Sequence, residues 1–298
     1  MGGHGGMEGH DGMAAGSDGG DDGGEPFGPL VAAGRLARLL GAPGVVVLDA
    51  SVGAHRGSLR RIPGARPFDI DGALSDPAAP LPHTMPGAAR LTEEVRALGV
   101  DDGSTVAVYD AAGVYSSARA WWMLRAMGHE RVAVLDGGLP AWEAAGLPVE
   151  EGPPARAGRH GDFTARPRPG RFVDADGVAA ALADPAAAVL DARSSERFRG
   201  EAPEPRPGLR GGHMPGAVSL PFGEVQRDGL MLPEAELRAV LAARTGGRER
   251  LVVSCGSGVT ACVLALAAVL AGYPEPAVYD GSWSEWGLPS DLPVVTGG

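Results

Sequence analysis

The chain has 298 residues, enough for about two domains of roughly 100–150 residues each, and 44% of them are hydrophobic, so each half can bury a core. The formal net charge is −11, but residues 1–25 hold six acidic side chains and no Lys or Arg, which leaves −5 for the remainder. That balance speaks against broad nucleic-acid binding, which needs clustered positive charge. The only cysteines, Cys255 and Cys262, exclude a disulfide framework and fit a reducing cytoplasm, and without clustered histidines they also speak against a zinc site. No apolar run approaches the ~20 residues of a membrane-spanning helix, and the N-terminus lacks the basic start and apolar middle of a secretory signal.

Residues 1–24 are Gly-rich and polar and read as a disordered tail, because they cannot bury enough apolar surface to offset the entropy of ordering. His4 and His10 within it read as solvated. Helical patterns cover residues 30–40 and 114–127, then 177–183, 233–244 and 258–271. Pro233 suits a first helical position, where its missing N–H has no helical partner. Short apolar runs alternate with these helices, which implies mostly parallel sheets covered on both faces, an α/β class. Residues 150–171 are rich in Pro, Gly and Arg, lack an apolar period, and read as a linker. The expected divisions are therefore 1–24, 25–149, 150–171 and 172–298.

One pattern occurs twice. Val45-Val46-Val47-Leu48-Asp49-Ala50 matches Ala188-Val189-Leu190-Asp191-Ala192, and Ile62-Pro63-Gly64-Ala65 matches Met214-Pro215-Gly216-Ala217. Thr105-Val106-Ala107-Val108-Tyr109-Asp110 matches Leu251-Val252-Val253-Ser254-Cys255. Val134-Leu135-Asp136-Gly137-Gly138 matches Val278-Tyr279-Asp280-Gly281-Ser282, and Trp142 matches Trp286. The offsets are 142, 152, 145, 144 and 144 residues, nearly constant and in order, so the chain is an internal duplication.

The segment richest in chemistry is Ser254-Cys255-Gly256-Ser257-Gly258-Val259-Thr260-Ala261-Cys262. A strand runs into Cys255 and a helix begins near Gly258, and ligand chemistry in such sheets sits just beyond strand C-termini. The glycines Gly256 and Gly258 permit a tight loop with inward N–H groups, which with the positive helix end favour an anion. A thiolate there is a better nucleophile at neutral pH, and the same cradle suits a persulfide sulfur. The plain alternative is that Cys255 is a small buried hydrophobe, as Cys262 is read to be. A phosphate-binding P-loop requires a Lys where Val259 stands, and a cysteine-loop phosphatase requires an Arg where Thr260 stands.

On these residues both halves resemble rhodanese domains, and residues 28–296 as a whole are similar to tandem-domain sulfurtransferases. The resemblance implies two similar domains with one active site between them. The second unit carries the catalytic Cys255, while Asp110 holds the cysteine position in an inactive first unit. The loop from Cys255 through Gly256, Ser257, Gly258, Val259 and Thr260 is similar to that of the mercaptopyruvate-using branch. Thiosulfate-using members carry Arg and Lys at the positions of Gly256 and Ser257. A dianion favours a cationic loop, whereas mercaptopyruvate needs a proton donor for its departing enolate.

The resemblance further implies that Arg197 and Arg206 bind the donor carboxylate, with Arg199 as a substitute. An arginine fork holds a carboxylate with parallel hydrogen bonds. Arg193 reads instead as part of a structural ion pair. Ser257, His83 and Asp71 are implied as a proton relay, although Pro82 replaces the acidic residue that relatives carry before the histidine. His213, His55 and His129 read as structural, and Trp283 and Trp286 either wall the site or pack. The implied reaction needs no metal or organic cofactor and ends on a thiol acceptor such as thioredoxin, or on cyanide. Two rival functions are thiosulfate:cyanide sulfur transfer and a persulfide carrier that binds a partner with little turnover.

Overall fold

The computed structural model describes residues 1–2 and 27–297. Apart from its first two residues, the tail expected over residues 1–24, with His4 and His10, lies outside the described residues. The first unit runs β1 (Leu30–Val31), α1 (Ala33–Leu39), β2 (Val45–Asp49), β3 (Arg60–Arg61), β4 (Arg66–Pro67), α2 (Ala88–Ala97), β5 (Thr105–Tyr109), α3 (Ser117–Ala126), β6 (Val132–Leu135) and α4 (Gly138–Ala144). After β7 (Glu150–Glu151) the second unit runs β8 (Phe172–Val173), α5 (Ala175–Ala183), β9 (Ala187–Asp191), α6 (Ser195–Arg199), β10 (Val218–Ser219), β11 (Gln226–Arg227), β12 (Leu230–Met231), α7 (Glu234–Thr245), β13 (Arg250–Ser254), α8 (Ala261–Leu270), β14 (Ala277–Tyr279) and α9 (Ser282–Trp286).

Each unit is built on a five-stranded parallel sheet, in the order β1-β6-β5-β2-β4 and β8-β14-β13-β9-β10. The orders correspond strand for strand, so the duplication in the sequence is also a duplication of topology. Successive side chains of a strand point to opposite faces. Val46 and Leu48 therefore enter the core shared by the two units, while Val47 enters an outer core under α1 and α4. Helices cover both faces, so strands such as β9 are buried along their whole length.

The shared core is where the units meet, and α3 packs there against α8. Helix α8 is apolar on every side, as a helix enclosed on every side must be. Trp121 and Trp122 of α3 are fully buried in this core, and truncating such a side chain costs about 3–5 kcal/mol. The interface repeats the internal symmetry in its hydrogen bonds. Met85 N–H of the first unit donates to Asp280 Oδ2 of the second at 2.8 Å, and Met231 N–H of the second donates to Asp136 Oδ1 of the first at 2.9 Å.

Several elements depart from the sequence expectation. Residues 30 and 31 form β1 beside β6 rather than a first helical turn, because sheet pairing overrides a local helical period. Helix α3 begins at Ser117 because the N–H groups of Tyr115 and Ser116 turn to the Asp110 carboxylate. Helix α8 begins at Ala261 because Gly258 has a φ of +75°, outside the helical range. Pro233 caps α7 one residue ahead of its first helical position. The segment 150–171, read as a linker, lies between the two units and is packed: β7 pairs with β3 and Phe163 is buried in the shared core. Helices α2, α4, α6 and α9 were not foreseen.

Candidate active site

Cys255 follows β13 directly, at the C-terminal edge of the second sheet, and is buried. The start of α9 anchors the turn. Cys255 N–H donates to Ser282 Oγ at 3.2 Å, and its carbonyl accepts Trp283 N–H at 2.9 Å. The Gly256 carbonyl accepts both N–H and Oγ–H of Ser284. A Cβ on Gly258 would lie 2.9 Å from the Asp280 carbonyl oxygen and 3.0 Å from Arg119 Nη1, so both its space and its positive φ require glycine. The N–H groups of Gly256, Ser257, Gly258, Val259 and Thr260 take no acceptor among the described residues, which leaves them available to an anion.

The first unit displays what this turn binds. There Asp110 stands at the position of Cys255, and its carboxylate accepts N–H groups from Ala112, Tyr115, Ser116 and Ser117 at 2.8–3.0 Å. Burial pushes the Asp110 carboxyl pKa up, and these hydrogen bonds oppose the shift. The corresponding positions of the second unit are Ser257, Thr260, Ala261 and Cys262, of which Cys262 N–H is already taken by the Val259 carbonyl at 3.1 Å. The first loop is an anion cradle filled by its own side chain, and the second presents the same turn with open N–H donors.

Cys255, Gly256, Ser257, Val259 and Thr260 line a cavity of about 420 Å³ together with Asp71, His83, Arg197 and Arg206. Gly258 lies behind the loop and shapes it. The first unit thus supplies Asp71 and His83 to a wall whose floor belongs to the second. His83 Nδ1 is 2.9 Å from Ser257 Oγ, and Nε2 is 2.8 Å from Asp71 Oδ1. Asp71 Oδ2 is fixed by the N–H of Gly53 at 3.0 Å. Burial pushes the His83 pKa down, Asp71 opposes that, and Arg119 and Arg206 add to it. In the neutral ring, Nε2–H donates to the carboxylate and Nδ1 accepts from the serine hydroxyl. Pro82 does not prevent this geometry, because His83 itself takes a left-handed backbone conformation, φ +59°.

The arginines divide. Arg193 is fully buried and ion-paired to Asp191 and Glu204, with its guanidinium 4.0 Å from the centre of the Trp283 ring. Arg197 also pairs with buried Glu204 through Nη2 at 2.5 Å. Arg206 donates only to Ser284 Oγ at 3.4 Å and has no carboxylate partner among the described residues. Both flank Gly256, where a Cβ would lie 3.1 Å from Arg197 Nη2 and 4.0 Å from Arg206 Nη1. Arg199 pairs with Glu201 outside the cavity.

Trp283 and Trp286 pack in the outer core of the second unit and do not line the cavity. His213 stacks on Phe198, His129 is buried against Phe163, and His55 is exposed. Cys262 donates its thiol to the Gly258 carbonyl, and burial pushes its pKa up to about 12. Among the described residues no cluster of His, Cys, Asp and Glu could hold a metal ion, and no helix is long and apolar enough to cross a membrane. Sequence reasoning missed Tyr115, Val52, Gly53 and Pro205 in the lining, and the supporting side chains Glu204 and Arg119. Only Glu204 left a signal, inside Pro203-Glu204-Pro205-Arg206.

The Rhodanese-like domain family matches residues 32–145 and 174–288. The chain is 40% identical over 275 residues to the 3-mercaptopyruvate sulfurtransferase of Escherichia coli strain K12, covering 89% of this chain and 97% of that protein. It is 42% identical over 233 residues to the human 3-mercaptopyruvate sulfurtransferase, covering 76% and 77%. The crystal structure of SseA from Escherichia coli superposes with a TM-score of 0.75 at 37% identity, over 87% of this chain and all of that one.

Proposed function

The chain belongs to the rhodanese-like domain family, and from that premise we propose that it is a 3-mercaptopyruvate sulfurtransferase carrying sulfur as a persulfide on Cys255. The observation that carries the reading is the chain of contacts from Asp71 through His83 to Ser257, in one cavity with Cys255 and two arginines. A thiosulfate donor has no carbon leaving group to protonate and no use for such a relay.

The donor carboxylate sits against Arg206 and Arg197, and its sulfur lies over Cys255. The Cys255 thiolate attacks that sulfur. A new S–S bond forms, the C–S bond breaks, and its electron pair stays on carbon as the enolate of pyruvate. The proton of the donor thiol passes to the neutral His83–Ser257 pair and returns to the enolate carbon, giving pyruvate. The free N–H groups of the loop stabilise the anionic outer sulfur of the persulfide. A thiol acceptor, with thioredoxin as the expected kind, attacks that sulfur and releases the Cys255 thiolate. Cyanide does the same and leaves as thiocyanate. A reducing compartment would keep both the enzyme thiol and the acceptor in the required state.

The test is a comparison of kcat/KM for mercaptopyruvate and thiosulfate with cyanide as common acceptor. Preferred use of mercaptopyruvate with stoichiometric pyruvate supports the reading. Preferred use of thiosulfate assigns the rival donor, and binding of a persulfide without turnover of either donor assigns a carrier.

A further inference from the structure

We propose that Arg119, a residue of the unit that lacks the catalytic cysteine, is a positioning residue that holds the relay histidine and the cysteine loop in register across the domain interface. The inference rests on the relay reading above. Arg119 lies on α3 and is fully buried. Its Nη2 donates to the His83 carbonyl at 2.7 Å and to Asp280 Oδ1 at 2.7 Å, while Nη1 donates to the Gly258 carbonyl at 3.3 Å. One planar guanidinium therefore ties together the relay loop of the first unit, the cysteine loop of the second, and the turn after β14. Its ring-side neighbour is Phe172, 4.7 Å away.

His83 needs such a clamp. A non-glycine residue in the left-handed region is strained and persists only where its surroundings over-determine it. Here Arg119 fixes the carbonyl of His83, and Asp280 Oδ2 fixes the N–H of Met85 two residues on. The Arg119–Asp280 pair grips the chain on both sides of Thr84 and so aims the imidazole at Ser257. Burial works against the Arg119 charge, the neighbouring Asp280 and Cys262 oppose it, and the pKa is raised. Arg119 thus remains a cation in the core.

The internal symmetry makes the case sharper. Asp136 is the counterpart of Asp280 and receives Met231 N–H as Asp280 receives Met85 N–H. By the 145-residue offset that relates Asp110 to Cys255 the counterpart of Arg119 is Leu264, a buried apolar residue of α8. Among the described residues Asp136 accordingly pairs with no arginine, and burial pushes its pKa up. The interface keeps its paired backbone contacts on both sides, but only the side with the cysteine carries the guanidinium. A purely structural tie would have served both sides equally.

The experiment uses the full chain and four variants: Arg119→Lys, Arg119→Met, Arg119→Met with Asp280→Asn, and His83→Gln as a relay control. The double variant removes both members of the buried pair, so that no lone charge remains to unfold the protein. Pyruvate release from mercaptopyruvate is measured from acid to neutral pH, with thermal unfolding as the check on folding. The expected result is a fall in kcat of roughly 10- to 100-fold in the folded Met and double variants, with KM nearly unchanged and partial recovery in Arg119→Lys. His83 is faced by Asp71, Arg119, Arg206 and Ser257. Losing the Arg119 cation raises the pKa of the imidazole, so the acid limb of kcat moves to higher pH in Arg119→Met. A folded double variant with parent kcat and an unmoved acid limb overturns the inference while leaving the relay reading intact. Parent turnover that survives in His83→Gln would instead remove the relay on which the inference rests.

Discussion

Asp110 and Cys255 stand at the same point of two copies of one loop, and in the first copy the Asp110 carboxylate takes up the N–H groups of the turn. Four N–H groups converge on that carboxylate. Asp110→Ala leaves the buried N–H groups of Ser116 and Ser117 without an acceptor, and each such loss costs about 1–3 kcal/mol when no water replaces it. The variant is expected to unfold at a lower temperature while a correctly folded fraction keeps the kcat of the parent. A melting temperature equal to the parent's would show that the carboxylate does not hold this loop together.

The two thiols should behave oppositely. Cys255 follows a strand into a loop with free N–H donors, whereas Cys262 is enclosed in α8 and its pKa is pushed up to about 12. At neutral pH Cys262 is a thiol and not a nucleophile. Cys255→Ser should abolish pyruvate release, and Cys262→Ser should retain most of it. Mass spectrometry after donor loading should find one added sulfur on the parent and none on Cys255→Ser. Persistent turnover in Cys255→Ser removes the mechanism.

The two cavity arginines should not be equivalent. Arg197 shares buried Glu204 with Arg193, so part of its charge is already matched, while Arg206 has no carboxylate partner among the described residues. A charge-assisted hydrogen bond contributes roughly 1.5–3 kcal/mol, which is about 10- to 100-fold in kcat/KM. Arg206→Ala should lose at least that much for mercaptopyruvate, and Arg197→Ala should lose less at the donor step. Equal losses, or a larger one in Arg197→Ala, would place the carboxylate against Arg197.

Much of this was legible in the sequence because a duplication is a strong pattern. The two Asp-Ala strand ends, the two Pro-Gly-Ala turns and the paired Asp136 and Asp280 predict two copies of one sheet, and both sheets have the same strand order. Cys255 was legible because a cysteine between a strand and two glycines is an unusual environment. What was not legible depends on distance in space. Arg119 sits in an ordinary helical stretch, 161 residues from Asp280, and nothing local marks it. The helix starts at Ser117 and Ala261 were misjudged for a similar reason. A hydrophobic period does not record that a carboxylate or a positive φ has claimed the preceding turn.

The pH dependence should carry the mark of His83. Burial pushes its pKa below the ordinary value of 6.5 and Asp71 opposes the shift. The proposed relay needs the neutral ring, so kcat should hold as pH falls through 6.5 and decline only below it. Asp71→Asn removes the groups' attraction for the proton, which lowers the pKa further. Its acid limb should therefore move to lower pH, while kcat falls by about 100-fold because the ring is no longer oriented. Stability has its own sign. Below about pH 6.5 the unfolded chain takes up a proton that folded His83 resists, so this residue makes the fold less stable as the solution is acidified. An acid limb in Asp71→Asn that moves upward contradicts the assigned roles.

Donor choice is expected to follow the charge at residues 256 and 257. Gly256 already lies between Arg197 and Arg206, and Ser257 Oγ is held by His83. Combining Gly256→Arg with Ser257→Lys adds two cations beside Cys255 and removes the hydroxyl proposed to hand a proton to the enolate. The first change favours a dianion such as thiosulfate, and the second penalises only the donor whose leaving group needs protonation. A new side chain at 256 pushes on the Arg197 fork, since even a Cβ would stand 3.1 Å from Nη2. That crowding further weakens carboxylate binding. All three effects act in one direction on the ratio of kcat/KM values, which is the measure of specificity. The double variant need not be a good thiosulfate enzyme, because the remaining wall keeps its shape for a keto acid. The measurement is kcat/KM for both donors in parent and double variant, with cyanide as acceptor. A thiosulfate-to-mercaptopyruvate ratio that stays level or falls in a folded protein would mean that donor choice is set elsewhere in the cavity, with Arg206 the next residue to examine.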